Sequence, residues 1–360
     1  MTAGRDPRWD LVGELLVRRA TSVRPGERVM IAMGEAETLP LLQGVYRSCI
    51  RAGAYPQVQF LSEALRDTLL REGSEQQLAW VPELESYGMD WADVYIGLRG
   101  AYPLAVHDGV PAQRLAINQT AQGTISAKRW AGTRWTLVRV PGPAMAQEAG
   151  IGLDRLLDMF FDACLLDWDA ARERWQGWAD TLQLGSEVQI LGAGTDLSFS
   201  TAGRGWLVSA GGINNPDGEI MTAPITGSVH GEIRFVNPGV FGGRLMRDLR
   251  LRWDHGVLVE ARAATNQDFL ESVLATDDGA TAIGEFGIGT NPKLSVFCND
   301  ILLDEKIAGT VHIALGRAYP ECGGTNRSAL HWDIVQDLRP GGELRLDGRT
   351  VIDDGRILLP

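Results

Sequence analysis

The chain has 360 residues, 44% of them apolar and 22% charged, with a formal net charge of −12. The length favours two domains over a single core, and the composition is that of an ordinary globular protein. The acidity argues against general nucleic-acid binding, which needs a basic surface.

The predicted elements alternate in the first half. LVGELLVRRATSV has helical spacing, RVMIAM (28–33) reads as a strand, and ETLPLLQGVYRSCIRAG is helical up to Gly53. PQVQFL (56–61), ADVYIGL (92–98) and WTLVRV (135–140) are three more strands with helical segments between them. Such alternation predicts βαβ units and a mainly parallel sheet, so the N-terminal domain is expected to be α/β. No GxGxxG follows the first strand, and a dinucleotide site is not indicated.

Residues 151–184 read as helical, with Trp168, Trp175 and Trp178 at helical spacing for packing. The pattern then changes to short strands: SEVQILG, DLSFST, SVHGEIRF, LRLRWDHGVLVEARA and GTVHIAL, parted by Gly, Asn and Asp turns, with a few helices such as QDFLESVLA. This predicts a β-rich α+β second domain, giving domains at 1–184 and 185–360.

No apolar run approaches the roughly 18–20 residues that span a bilayer. The N-terminus lacks the basic start and apolar core of a secretory signal, so a cytoplasmic protein without membrane contact is expected. Cys49, Cys164, Cys298 and Cys322 have no CxxC spacing, which speaks against a disulfide framework or a zinc ribbon. His107, His230 and His255 are read as structural. The basic stretch GGRLMRDLRLR is read as a solvated face.

Chemistry concentrates in the second half. In HWD, His331 and Asp333 are two apart, so on a strand both project from one face and could share a divalent metal. His312 is the one strongly polar side chain of VHIAL. GGINNPDGEIMTAP puts Glu219 after a Pro-Asp-Gly turn, and AIGEFGIGTNPK sets Glu285 between Ile283-Gly284 and Phe286-Gly287, shielded from water. Taken singly, each has a plain structural explanation: a surface HxD pair, a hydrogen-bonded core histidine, two turn carboxylates. Taken together with Tyr319, they could hold two adjacent metals that activate a water and polarise a carbonyl. Oxygen-rich ligation with one His per metal suits Zn, Co or Mn.

These motifs, Glu219 in NPDGEIMTAP, Glu285 in its GE, His312 and Tyr319 in HIALGRAYP, and His331 and Asp333 in HWD, resemble the metal-ligand motifs of the aminopeptidase T and aminopeptidase S family of metallopeptidases. The resemblance is strongest over 211–335. It implies a two-domain homodimer that removes N-terminal residues from peptides, or cleaves a small amide, at a two-metal site in the C-terminal domain. It further implies that Glu219, Glu285, His312, Tyr319, His331 and Asp333 are the ligands, with Glu285 bridging. Glu219, or second Glu321, would take the proton of the attacking water. The chain departs from the pattern in a shorter Tyr319–His331 segment that also holds Cys322 and Arg327.

The same superfamily resembles 2,5-dihydroxypyridine 5,6-dioxygenase, a ring-opening enzyme with one non-haem Fe(II). His312, His331 and Asp333 could form its facial triad. That enzyme has His near the position of Glu285, so the presence of both Glu219 and Glu285 favours hydrolysis. A metal-stabilised scaffold is the third reading and expects a closed ligand sphere.

Overall fold

The computed structural model describes residues 6–360. The chain is of mixed α/β class and divides into two compact units. The first runs to Leu165 and takes back Gly211–Pro216; the second comprises Leu166–Ala210 and Asp217–Pro360.

In the first unit, β1 (Arg28–Gly34), β2 (Tyr55–Leu61), β3 (Val94–Gly100) and β4 (Arg134–Val140) coincide with the predicted strands to within two residues. They pair in parallel in the order β2-β1-β3-β4, and the two-residue β8 (Asn214–Asn215) is added to β4. Crossover helices cover a parallel sheet on both faces, which is why Val29, Met30, Ile31 and Ala32 are all buried. The helix Leu39–Arg51 presents Leu41, Val45 and Cys49, each one turn apart, to the core that holds Val29 and Ile31.

The helical stretch at 151–184 is two helices, Leu153–Cys164 and Trp168–Leu182. Asp167 separates them, and its carboxylate accepts the Ala170 N–H at 3.1 Å, capping the second. The two helices belong to different units, so the division falls at Leu165/Leu166 rather than at 184/185. Trp168 and Trp175 of the second helix are buried and meet edge to face at 6.1 Å, inside the second unit. A change of periodicity marks where secondary structure changes; packing decides which unit a helix joins.

The second unit is built on antiparallel sheets. One contains β5 (Glu187–Gly192), β6 (Thr195–Ser200), β10 (His230–Arg234), β13 (Arg250–Asp254), β14 (Val257–Arg262), β18 (Glu343–Leu346), β19 (Arg349–Asp353) and β20 (Arg356–Ile357), in the order β14-β13-β10-β6-β5-β18-β19-β20. The other contains β7 (Leu207–Ser209), β9 (Glu219–Thr222), β15 (Ile283–Gly289), β16 (Thr310–Gly316) and β17 (His331–Asp337), in the order β17-β16-β15-β9-β7. A hairpin of β11 (Gly239–Phe241) and β12 (Arg244–Met246) stands apart.

Alternation divides the five-stranded sheet into two unlike faces. Phe286, Ile288, Val311, Ile313, Leu315, Trp332 and Ile334 go to the apolar side and are buried. There Phe286 meets Phe199 of β6 at 5.1 Å and Trp206 at 6.1 Å. The opposite side carries Glu285, His312, His331 and Asp333 among glycines and alanine.

Candidate metal centre

Four adjacent strands bring ligating groups to that polar face, and the ladder register makes room for them. Glu219 pairs with Gly289, His312 with Gly287, His331 with Gly316, and Ala314 lies between Glu285 and Asp333. Each ligating side chain on the sheet therefore has, on one side, a cross-strand neighbour with no side chain or only a methyl group, while on the other side Glu219 meets Ser209 and His312 meets Val335. The Gly-rich character of GEFGIG is the sequence trace of this arrangement.

His312 Nε2 lies 3.5 Å from Glu219 Oε2 and 3.5 Å from Glu285 Oε1. His331 Nε2 lies 3.4 Å from Glu285 Oε2 and 3.4 Å from Asp333 Oδ2. Glu285 thus turns one oxygen to each imidazole. These spacings suit charge attraction but are long for hydrogen bonds, and neither ring nitrogen of the fully buried His312 has a hydrogen-bond partner. A buried polar group left so is costly. Ligand atoms of Glu219, Glu285 and His312 fall within 4.8 Å of one another, as do those of Glu285, His331 and Asp333. A divalent cation would satisfy both sets, so the donors present fit such an ion. His331 donates from Nδ1 to the Arg317 carbonyl at 2.9 Å, which leaves Nε2 facing the carboxylates.

The charges are dense. Burial pulls the imidazole of His312 down, but contact with Glu285 and the charges of Glu305 and Glu219 outweigh it and hold His312 up to about 9. Burial likewise lowers His331, and Asp333 with Glu285 raises it to about 9. Burial alone would raise Glu285, yet the two histidines bring it down to about 2. Burial raises Asp333. Lys306 is also fully buried, with its ammonium 2.6 Å from Glu219 Oε1 and 2.5 Å from Glu305 Oε1.

Five of the six ligand positions expected from sequence thus converge. The sixth, Tyr319, packs edge-on against His331 with ring centroids 5.3 Å apart, and burial together with the charge of Glu285 pushes its phenol up. Glu321 lies exposed on the turn Pro320–Cys322 and belongs to none of the ligand groups. Cys322 is buried with Ala223 and Ala318, and burial pushes its thiol up to about 12, which makes it packing rather than a nucleophile. Arg327 and Arg317 help line a cavity of ≈ 390 Å³. In the first unit, His107 is held by Glu63 at 2.9 Å and Asp67 at 3.1 Å. His230 and His255 lie exposed beside Asp254.

Sequence reasoning missed Glu305 and Lys306. Glu305 lies within 4.8 Å of ligand atoms of His312 and Asp333. In sequence, LDEKIAG looks like a solvated charged turn, and only the fold buries it. The one available signal was the rarity of lysine, which occurs at Lys128, Lys293 and Lys306 only.

The model of the family described as Thermophilic metalloprotease (M29) matches residues 6–351. Aminopeptidase T of Thermus thermophilus is 28% identical over 350 residues, covering 86% of this chain and 84% of that protein. The solved structure of wild-type AmpT from Thermus thermophilus superposes with a TM-score of 0.84 at 24% identity, over 98% of this chain and 99% of that one. The structure of 2,5-dihydroxypyridine dioxygenase from Pseudomonas putida KT2440 shares the fold at a TM-score of 0.62 and 12% identity, over 100% of this chain and 99% of that one. No described helix is long and apolar enough to cross a membrane.

Proposed function

Because the chain belongs to the thermophilic metalloprotease family M29, and is with it a metal-dependent aminopeptidase, we propose that its catalytic centre is the buried group on β9, β15, β16 and β17. The observation that carries this is that Glu219, Glu285, His312, His331 and Asp333 each have a glycine or alanine as one cross-strand partner on the same face. Glu219, Glu285 and His312 would hold one divalent ion, and Glu285, His331 and Asp333 a second, with Tyr319 beside them. Glu285, which turns an oxygen to each histidine, would be the bridge. Zn, Co or Mn suits these donors. When bound, such ions supply a polarised water and a Lewis acid for the scissile carbonyl.

The chain's own groups do the rest. The Arg317 carbonyl orients His331, and the apolar underside of the sheet keeps the ligand strands rigid. Of the two carboxylates considered as base, Glu219 is inside the buried group and is the one assigned; it would accept the water proton and pass it to the leaving amine. The substrate is a small peptide or aminoacyl amide. The homodimer implied by the family resemblance and the cytoplasmic location expected from the sequence complete the reading.

Elemental analysis of anaerobically purified protein, followed by aminoacyl-amide hydrolysis with and without chelator, tests it. Two Zn, Co or Mn ions per chain with chelator-sensitive release of the N-terminal residue is the expected result. A single Fe per chain, with oxygen uptake on dihydroxylated rings, would replace it with the His312, His331 and Asp333 triad. Size-exclusion chromatography with light scattering reads the dimer.

A further inference from the structure

We propose that Lys306 is a positioning residue of the metal centre, an inference that rests on the metal reading above: its ammonium fixes Glu219 with one oxygen turned toward His312. Lysine is almost never fully buried unless it is paired. Here it is paired twice, with Glu219 Oε1 at 2.6 Å and Glu305 Oε1 at 2.5 Å. A fixed positive charge beside a cation site opposes the ion by simple Coulomb repulsion. Its benefit must therefore be geometric. The terminal torsion of a glutamate is broad, and a donor on Oε1 removes that freedom. Oε2 is then left 3.5 Å from His312 Nε2. Glu305 neutralises the lysine, so the added charge of the pair is zero.

The backbone holds the lysine in place independently of these contacts. Asn291 N donates to the Lys306 carbonyl at 2.9 Å, and Ala308 N donates to the Asn291 carbonyl at 3.1 Å. Asn291 Nδ2 donates to the Asp217 carbonyl at 2.7 Å, two residues before Glu219. The segments that carry the ammonium and its carboxylate are thus pinned to one asparagine.

The test is titration of metal-free protein with Co2+ in a calorimeter, with thermal melting of each metal-free variant beside it. K306M alone strands two buried carboxylates and can fail to fold, so the key variant is the charge-conserving K306M/E305Q. Loss of an orienting partner typically weakens a metal site about 10–100-fold, and that loss is expected in the double variant. E305Q alone keeps Lys306 on Glu219 but leaves its charge unbalanced, so its affinity should fall, though by less than about tenfold. A folded double variant that binds Co2+ as tightly as the wild type would overturn the proposal, because Lys306 would then only balance Glu305. A tenfold or larger loss in E305Q alone would overturn it differently, by making Glu305 a ligand. If the wild-type protein takes up no Co2+, the metal reading itself falls and this inference with it.

Discussion

Gly287 faces His312 across the β15–β16 ladder so closely that a Cβ added to it would stand 2.1 Å from the imidazole Cε1 and 2.2 Å from Nε2. The ring occupies the space that a side chain at 287 would need. G287A should therefore displace His312, weaken metal uptake and destabilise the second unit by about 1–3 kcal/mol, the usual cost of overpacking. Thermal melting and Co2+ titration read the two effects. A variant with unchanged melting and affinity would show that the ring has room to spare.

Metal binding should expel protons. In the metal-free protein His312 and His331 are each held up to about 9, whereas an imidazole must be unprotonated to ligate. Affinity should rise with pH up to about 9, by up to tenfold per unit for each proton released, and then level off. Glu285, held at about 2, stays ionised throughout and adds no proton. Calorimetry in buffers of different ionisation enthalpy counts the protons; a pH-independent affinity from weakly acidic to weakly basic solution would contradict this.

Removal of metal should loosen one sheet selectively. All the proposed ligands lie on β9, β15, β16, β17 and the turn after β16. Saturating metal at about 100 times its dissociation constant is worth about 2.7 kcal/mol. In hydrogen exchange, chelator should lower protection in these strands and leave β1–β4 unchanged. Equal loss in both sets would mean that the ion acts elsewhere.

Glu219 and Glu321 should behave oppositely. E321Q alters an exposed turn, and kcat/KM should change by no more than about twofold. E219Q should lower it by about 10²–10⁴-fold if Glu219 takes the proton. The assignment is reversed if E321Q proves the damaging variant.

Much of this was legible along the chain. The strand 28–33 shows as a short apolar run because a covered parallel sheet tolerates little else, and β1 coincides with it closely, as β2 and β4 do with the strands read at 56–61 and 135–140. His331 and Asp333 were readable as one face because strand periodicity is two. The helical run at 151–184 was legible as helix but not as two helices in different units, since amphipathic spacing does not say which core a face will meet.

What the sequence by itself determined, then, is the local order: which segments are strands or helices, and which carboxylates and histidines sit at strand-compatible positions. Only the tertiary structure decided the rest. Hydrogen-bond register set glycine or alanine as one cross-strand neighbour of each ligating group on the sheet, and register is a property of strand pairs that no single strand carries. Burial turned Glu305 and Lys306 from an apparent surface pair into part of the centre, because a charge is brought inside only where the fold supplies its partner.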